Sequence, residues 1–151
     1  KYMIIDRLDT KKNHDIDALI LMDCDGFKSI NDTQGHLVGD GVLESVALSL
    51  KQTFRNTDII GRIGGDEFCV YLKSIQSIDS VIGKCKQLDE YISRKFTNLD
   101  VSVSKGIALI TQKEAYEDVF KKADTALYQA KSKGKSLTIV WEKQERDRRL
   151  I

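Results

Sequence analysis

A chain of 151 residues with 41% hydrophobic and 31% charged positions suits one globular domain that buries roughly two-thirds of its unfolded surface. A net charge of +1 excludes a basic nucleic-acid coat or an acidic tail as the governing feature, so any anion site has to be built locally. Cys24, Cys69 and Cys85 show no C-x-x-C spacing, and the longest apolar run, Ala18 to Met22, is far too short to span a bilayer; the expectation is a cytoplasmic domain with reduced thiols and no membrane contact of its own.

Residues 1–13 predict a short helix. The run DALILMDCD, residues 17–25, is apolar up to its acids and predicts a strand buried on both faces, with Asp23 and Asp25 at its C-terminal end. GFKSINDTQGHLVGDG, residues 26–41, is rich in Gly, Asn and Asp and predicts turns and one short helical segment. A helix is expected from Asp40, with Asp40 or the glycines around it as N-cap, because Leu43, Val46, Ala47, Leu50 and Phe54 form one apolar stripe. DIIGRI and FCVYL flank Gly64-Gly65-Asp66-Glu67 and predict a hairpin. Val81, Cys85, Leu88 and Ile92 mark a second amphipathic helix. VSVSKGIALI alternates as a strand whose apolar face is broken by Lys105. Val119, Ala123, Leu127 and Ala130 mark a third helix ending near Gly134, and LTIVW is a last strand. The charged end, EKQERDRRLI (residues 142–151), reads as a solvated helix, so the domain is expected over 1–142 with 143–151 as a charged tail or linker. This order predicts an α+β fold with a single mixed, mainly antiparallel sheet of about five strands flanked by helices.

The acids need an explanation that the strands do not supply. Asp23 closes a buried strand, and Asp66 and Glu67 sit on a hairpin turn. As neighbours these carboxylates would raise one another's pKa unless a cation neutralised them, and hard oxygen ligands suit Mg²⁺ or Mn²⁺ carrying phosphate oxygens. The competing reading is that they are ordinary surface turn acids; spacing leaves both open.

Four segments carry a family resemblance. RIGGDEF, residues 62–68, looks like the signature of the GGDEF family of diguanylate cyclase domains. DCDGFKSINDTQGHLVGD, residues 23–40, resembles the family's D-x-D-x-F-K-x-x-N-D-x-x-G-H-x-x-G-D. VSVSKGIAL resembles its fourth-strand segment, and ADTALYQAKSKGKS, residues 123–136, resembles A-D-x-A-L-Y-x-A-K-x-x-G-(R/K)-N. The resemblance implies a palm-like nucleotide cyclase fold that condenses two GTP molecules into cyclic di-GMP, each subunit of a homodimer holding one GTP. It implies Asp23, the backbone carbonyl of Cys24, Asp66 and Glu67 as metal ligands. Glu67, Asp66 and Lys28 would be the catalytic set, with Glu67 assisting deprotonation of the attacking ribose 3′-OH. Asn31 and Asp40 would read guanine, Gly64 and Gly65 would let the backbone approach the nucleotide, Phe27 would line the GTP site, and Lys28, Lys131 and Lys135 would hold the triphosphate. Arg55 and Asp58 of RNTD match an R-x-x-D inhibitory site for cyclic di-GMP. Taken alone, Asn31 reads as a turn residue, Asp40 as a helix cap and the lysines as a solvated helix end. His36 matches the family's G-H and reads as a structural hydrogen-bonding group.

The chain departs from the family pattern in three places. Nothing in residues 1–22 resembles the usual D-x-L-T-G-L-x-N-R stretch, which implies a domain clipped at its N-terminus or a diverged start. Lys105 stands inside the S-x-G strand segment, and Lys135-Ser136 stands for the usual Arg-Asn. Two functions follow as expectations: an active diguanylate cyclase, or an inactive module that receives GTP or cyclic di-GMP. In either case sensor or effector domains of a parent chain are the expected partners.

Overall fold

The computed structural model describes residues 1–143; of the charged tail expected over 143–151, residues 144–151 lie outside the described residues. The described residues form five helices and five strands, in the order α1 (Tyr2–Asp9), β1 (Asp17–Cys24), α2 (Phe27–Gln34), α3 (His36–Thr53), β2 (Ile59–Gly64), β3 (Glu67–Leu72), α4 (Ile78–Lys95), β4 (Val103–Ile110), α5 (Tyr116–Ser132) and β5 (Thr138–Val140). The strands form one sheet in the order β2-β3-β1-β4-β5. β1 runs antiparallel to both β3 and β4, β2 is antiparallel to β3, and β5 joins β4 in parallel. This is the mixed, mainly antiparallel five-stranded sheet expected from the element order.

Both faces of the sheet are covered, which is why β1 reads as an unbroken apolar run. Ala18, Ile20, Met22 and Cys24 face one core, packed with Val42, Val46 and Leu50 of α3 and Val81, Cys85, Leu88 and Ile92 of α4. Leu19 and Leu21 face the other, against Ile4 and Leu8 of α1 and Val119, Ala123 and Leu127 of α5. Each fully buried Leu, Ile or Val contributes about 1.5–3 kcal/mol relative to exposure, so these alternating sets hold the layers together. Gly106 lets α5 sit directly on the sheet: a Cβ there would stand 2.2 Å from the Ala123 carbonyl oxygen and 2.2 Å from the Leu127 nitrogen.

Two local expectations need correction. Residues 27–34 form a full α-helix rather than turns with one short helical piece, and α3 starts at His36, four residues before Asp40. The N-cap of α3 is Gly35, at φ 90, so Asp40 lies inside the helix and caps nothing. Gly35 supplies no capping side chain; its positive φ is what lets the chain turn directly from α2 into α3.

Lys105 is fully buried. Its Nζ donates to Asp89 Oδ1 of α4 at 2.6 Å and to the Val103 carbonyl at 2.8 Å, so the charge that breaks the apolar face of β4 is paired within the core layer.

Candidate functional site

The end of β1 and the hairpin turn meet because the sheet register puts them together. Asp23 lies directly opposite Glu67 in the β1–β3 ladder, and the Cys24 N–H donates to the Asp66 carbonyl at 3.2 Å. Asp66 stands near enough to Asp23 to act on its carboxyl. Burial pushes the Asp23 carboxyl up to about 6; Lys131 opposes the rise and Asp66 adds to it. Lys131, from the last turn of α5, donates to Asp23 Oδ2 at 2.5 Å. Asp23 Oδ1 is buried without any hydrogen-bond partner.

The expected convergence of three carboxylates is realised as a pair with a third standing by. Glu67 is exposed at the start of β3, and among the described residues no three His, Cys, Asp or Glu side chains form a ready metal cage. The residues nevertheless fit a divalent cation. An orphaned buried carboxylate oxygen beside a second carboxylate is the hard, under-neutralised donor set that Mg²⁺ takes while keeping phosphate and water in its remaining positions. Cys24 offers no thiolate: its side chain packs into the α3/α4 core, and burial, aided by Asp66, Asp23 and Asp25, pushes its thiol up to about 12.

The hairpin turn is held from within. Gly65 takes φ 52, a left-handed conformation that a side chain would strain, whereas Gly64 does not need a positive φ. The Arg62 Nε donates to the Gly65 carbonyl at 2.8 Å and fixes the turn; sequence reading passed over Arg62, though its three-residue spacing to Gly65 was the available signal. No protein atom lies within 4 Å of where a Cβ on Gly64 or Gly65 would stand, so the turn is open to a ligand.

α2 and α3 carry the expected base-reading pair. Asn31 packs beneath α3, where a Cβ on Gly39 would stand 1.8 Å from its Oδ1 and 3.3 Å from Phe27 Cζ. Gly39 is thus the space that admits both Asn31 and Phe27. The Asn31 Oδ1 is buried and unpartnered. Asp40, one residue on, is exposed, as is Lys28 on the first turn of α2. Lys135 is exposed on the loop after α5, at φ 66.

Arg55 and Asp58 lie at the opposite end of the hairpin from the acid pair, about 17 Å away along β2 at ~3.3 Å per residue. Asp58 is buried and accepts from the Arg55 N–H at 2.9 Å and Arg55 Nη2 at 3.1 Å. Arg55 Nη2 also donates to the Lys73 carbonyl at 2.8 Å. Asp58 therefore holds Arg55, whose half-exposed guanidinium is the group presented outward. Asp25, which sequence reading placed at the strand end without a role, accepts hydrogen bonds from Ser102, Ser104 and Ser136.

The family profile described as "Diguanylate cyclase, GGDEF domain" matches residues 4–137. The chain is 36% identical over 143 residues to the protein named Probable diguanylate cyclase DgcC of Escherichia coli, covering 91% of this chain and 38% of that one. It is 37% identical over 126 residues to Diguanylate cyclase DgcP of Pseudomonas aeruginosa, covering 78% of this chain and 18% of that one. The chain thus spans well under half the length of these relatives. Among solved structures it is similar to the GGDEF domain of YfiN from Pseudomonas aeruginosa, with a TM-score of 0.83, 26% identity and coverage of 95% and 96% of the two chains. It is equally similar to the GGDEF domain of DgcB from Caulobacter crescentus in complex with c-di-GMP, with a TM-score of 0.83, 27% identity and coverage of 94% and 88%. With the family profile matching residues 4–137, nearly the whole chain, the chain belongs to the GGDEF, diguanylate cyclase domain family.

Proposed function

We propose that this chain is the catalytic domain of a diguanylate cyclase, which condenses two GTP molecules into cyclic di-GMP and releases two pyrophosphates. The observation that carries the reading is the Asp23–Asp66 pair, with one buried carboxylate oxygen unpartnered and the Lys131 ammonium beside it. Such a pair is costly to the fold, and a divalent cation carrying a polyphosphate would offset that cost.

Asp23, the Cys24 carbonyl, Asp66 and Glu67 would hold Mg²⁺ or Mn²⁺. That ion supplies charge neutralisation of the triphosphate and acidifies the attacking hydroxyl. Asp40 accepts from the guanine N1–H and exocyclic amine, and Asn31 makes the second base contact, with Phe27 against the nucleotide. Lys28, Lys131 and Lys135 bind phosphate oxygens as point charges. Glu67 takes the proton from the ribose 3′-OH. The 3′-oxygen then bonds to the α-phosphorus of the GTP held by the facing subunit, the bond from that phosphorus to the bridging β-phosphate oxygen breaks, and pyrophosphate leaves. The reciprocal step closes the ring. Catalysis here is positioning and charge neutralisation, which is what in-line phosphoryl transfer requires. Arg55, braced by Asp58, would bind the cyclic product at the far end of the hairpin and restrain the domain.

The test is turnover by the full-length, dimeric parent protein given GTP and Mg²⁺. Cyclic di-GMP is the expected product, and Glu67→Gln should abolish it while GTP still binds. Tight cyclic di-GMP binding with no product from the unmodified protein would instead favour a receptor.

A further inference from the structure

Asp25 takes no part in the acid pair, yet it is 7% exposed and fully engaged. Its Oδ2 accepts from Ser102 Oγ at 2.7 Å and from the Ser136 N–H at 2.9 Å, and its Oδ1 accepts from Ser104 Oγ at 2.6 Å. Its own N–H donates to the Ser102 carbonyl at 2.9 Å. Ser104 is fully buried and pairs with Asp23 in the β1–β4 ladder, so these bonds anchor the carboxylate to the sheet. Ser136 is different, because it belongs to the loop between α5 and β5.

That loop is strained. Lys135 and Ser136 take φ 66 and φ 50, two successive side-chain-bearing residues in the left-handed region, right after Gly134 at φ 125. Neither is a residue type that visits this region readily, and such a pair persists only where surrounding bonds over-determine it. The Lys135 N–H donates to the Ala130 carbonyl at 3.1 Å, which ties the loop to α5; the Asp25–Ser136 bond ties it to the sheet. Asp25, Gly26, Ser102, Lys135 and Ser136 border one cavity of about 630 Å³ at the start of α2.

We propose that Asp25 is a positioning residue: by accepting the Ser136 N–H it holds the α5–β5 loop in its left-handed form and so presents the Lys135 ammonium to the polyphosphate of the nucleotide. The inference rests on the proposed reading of Lys135 as a phosphate ligand. It also accounts for the tolerance of serine where the family usually has asparagine, since the bond is made by the backbone and not by the side chain.

The experiment measures GTP and GMP binding by calorimetry with Mg²⁺ on the full-length protein. Asp25→Asn keeps size and one acceptor oxygen but turns an amide donor toward one of its former partners. Loss of a charge-assisted bond predicts about a tenfold fall in GTP affinity, with GMP affinity nearly unchanged and KM rising more than kcat falls. Adding Ser136→Gly, which removes the left-handed penalty, should recover part of the GTP preference. Equal losses for GTP and GMP, or an unchanged preference, overturn the inference. If Asp25→Asn does not fold, Ser102→Ala strips a donor from the same carboxylate and should shift the preference in the same direction; an unchanged preference there is equally fatal. A wild-type protein that binds GTP no more tightly than GMP overturns the phosphate reading of the site and this inference with it.

Discussion

Lys105 shows what a single charge costs and gains inside a layer. Its ammonium is fully buried while its partner Asp89 remains 37% exposed at the side chain, so the pair straddles the core boundary between β4 and α4. Removing the acid strands a buried charge, which typically costs 3–5 kcal/mol; with Asp89 partly solvated, Asp89→Ala should destabilise by about 3 kcal/mol. Lys105→Met removes the charge along with its need for a partner and should fall within about 1 kcal/mol of the parent. Urea denaturation of both variants checks this, and equal losses would mean that the ion pair itself, rather than the stranded charge, carries the energy. The sequence displays Lys105 as an interruption of the strand pattern, but its partner lies 16 residues away on a helix whose buried face is already complete with Val81, Cys85, Leu88 and Ile92. Nothing in local pattern distinguishes Asp89 from a solvated acid.

At the level of elements, apolar periodicity located β1, β3, α4, β4 and α5 well, because each buries a face with a regular repeat. It failed at α2 and at the start of α3. In α2 only Ile30 is buried, and the other residues, rich in Ser, Asn and Asp, prefer caps and turns on their own. Packing of α2 against α3 overrides that preference. Gly39 and Gly106 read as loop or strand-weakening residues in a sequence, yet each marks a close approach: of Asn31 to α3 in one case and of α5 to the sheet in the other. For Gly106 the neighbours are backbone atoms of a helix, which cannot rotate away. Gly106→Ala should therefore push α5 off β4 and cost about 3 kcal/mol, the upper range for overpacking. Because α5 carries Lys131, the same variant should also weaken GTP binding; a variant with native stability in urea would show that the helix has room to move.

Across the whole molecule the candidate site is a product of topology. Asp23, Asp66 and Lys131 are 43 and 65 residues apart in the chain, and they meet because β3 and β4 flank β1 and α5 lies across the sheet from α3. Composition and spacing showed carboxylates at strand ends; only the family's ordered motifs brought them to one edge, and neither route revealed that Lys131 would pair with Asp23 or that Asp25 would bind three serine donors. An acid pair with an orphaned oxygen makes the ligand-free fold weaker than it need be, so a ligand completing the site should stabilise the entire domain by mass action. At a GTP–Mg²⁺ concentration of about 100 times Kd the gain is about 2.7 kcal/mol. For a domain of this size each kcal/mol is worth about 2–4 °C, so Tm should rise by roughly 5–11 °C. Chelation of the metal should remove most of the shift. Asp23→Asn relieves the carboxylate repulsion and removes a hard ligand, so it should raise the Tm of the ligand-free protein while abolishing the response to GTP–Mg²⁺. Differential scanning calorimetry on the full-length protein reads all three, and a nucleotide shift that survives both chelation and Asp23→Asn would place the binding energy outside the acid pair.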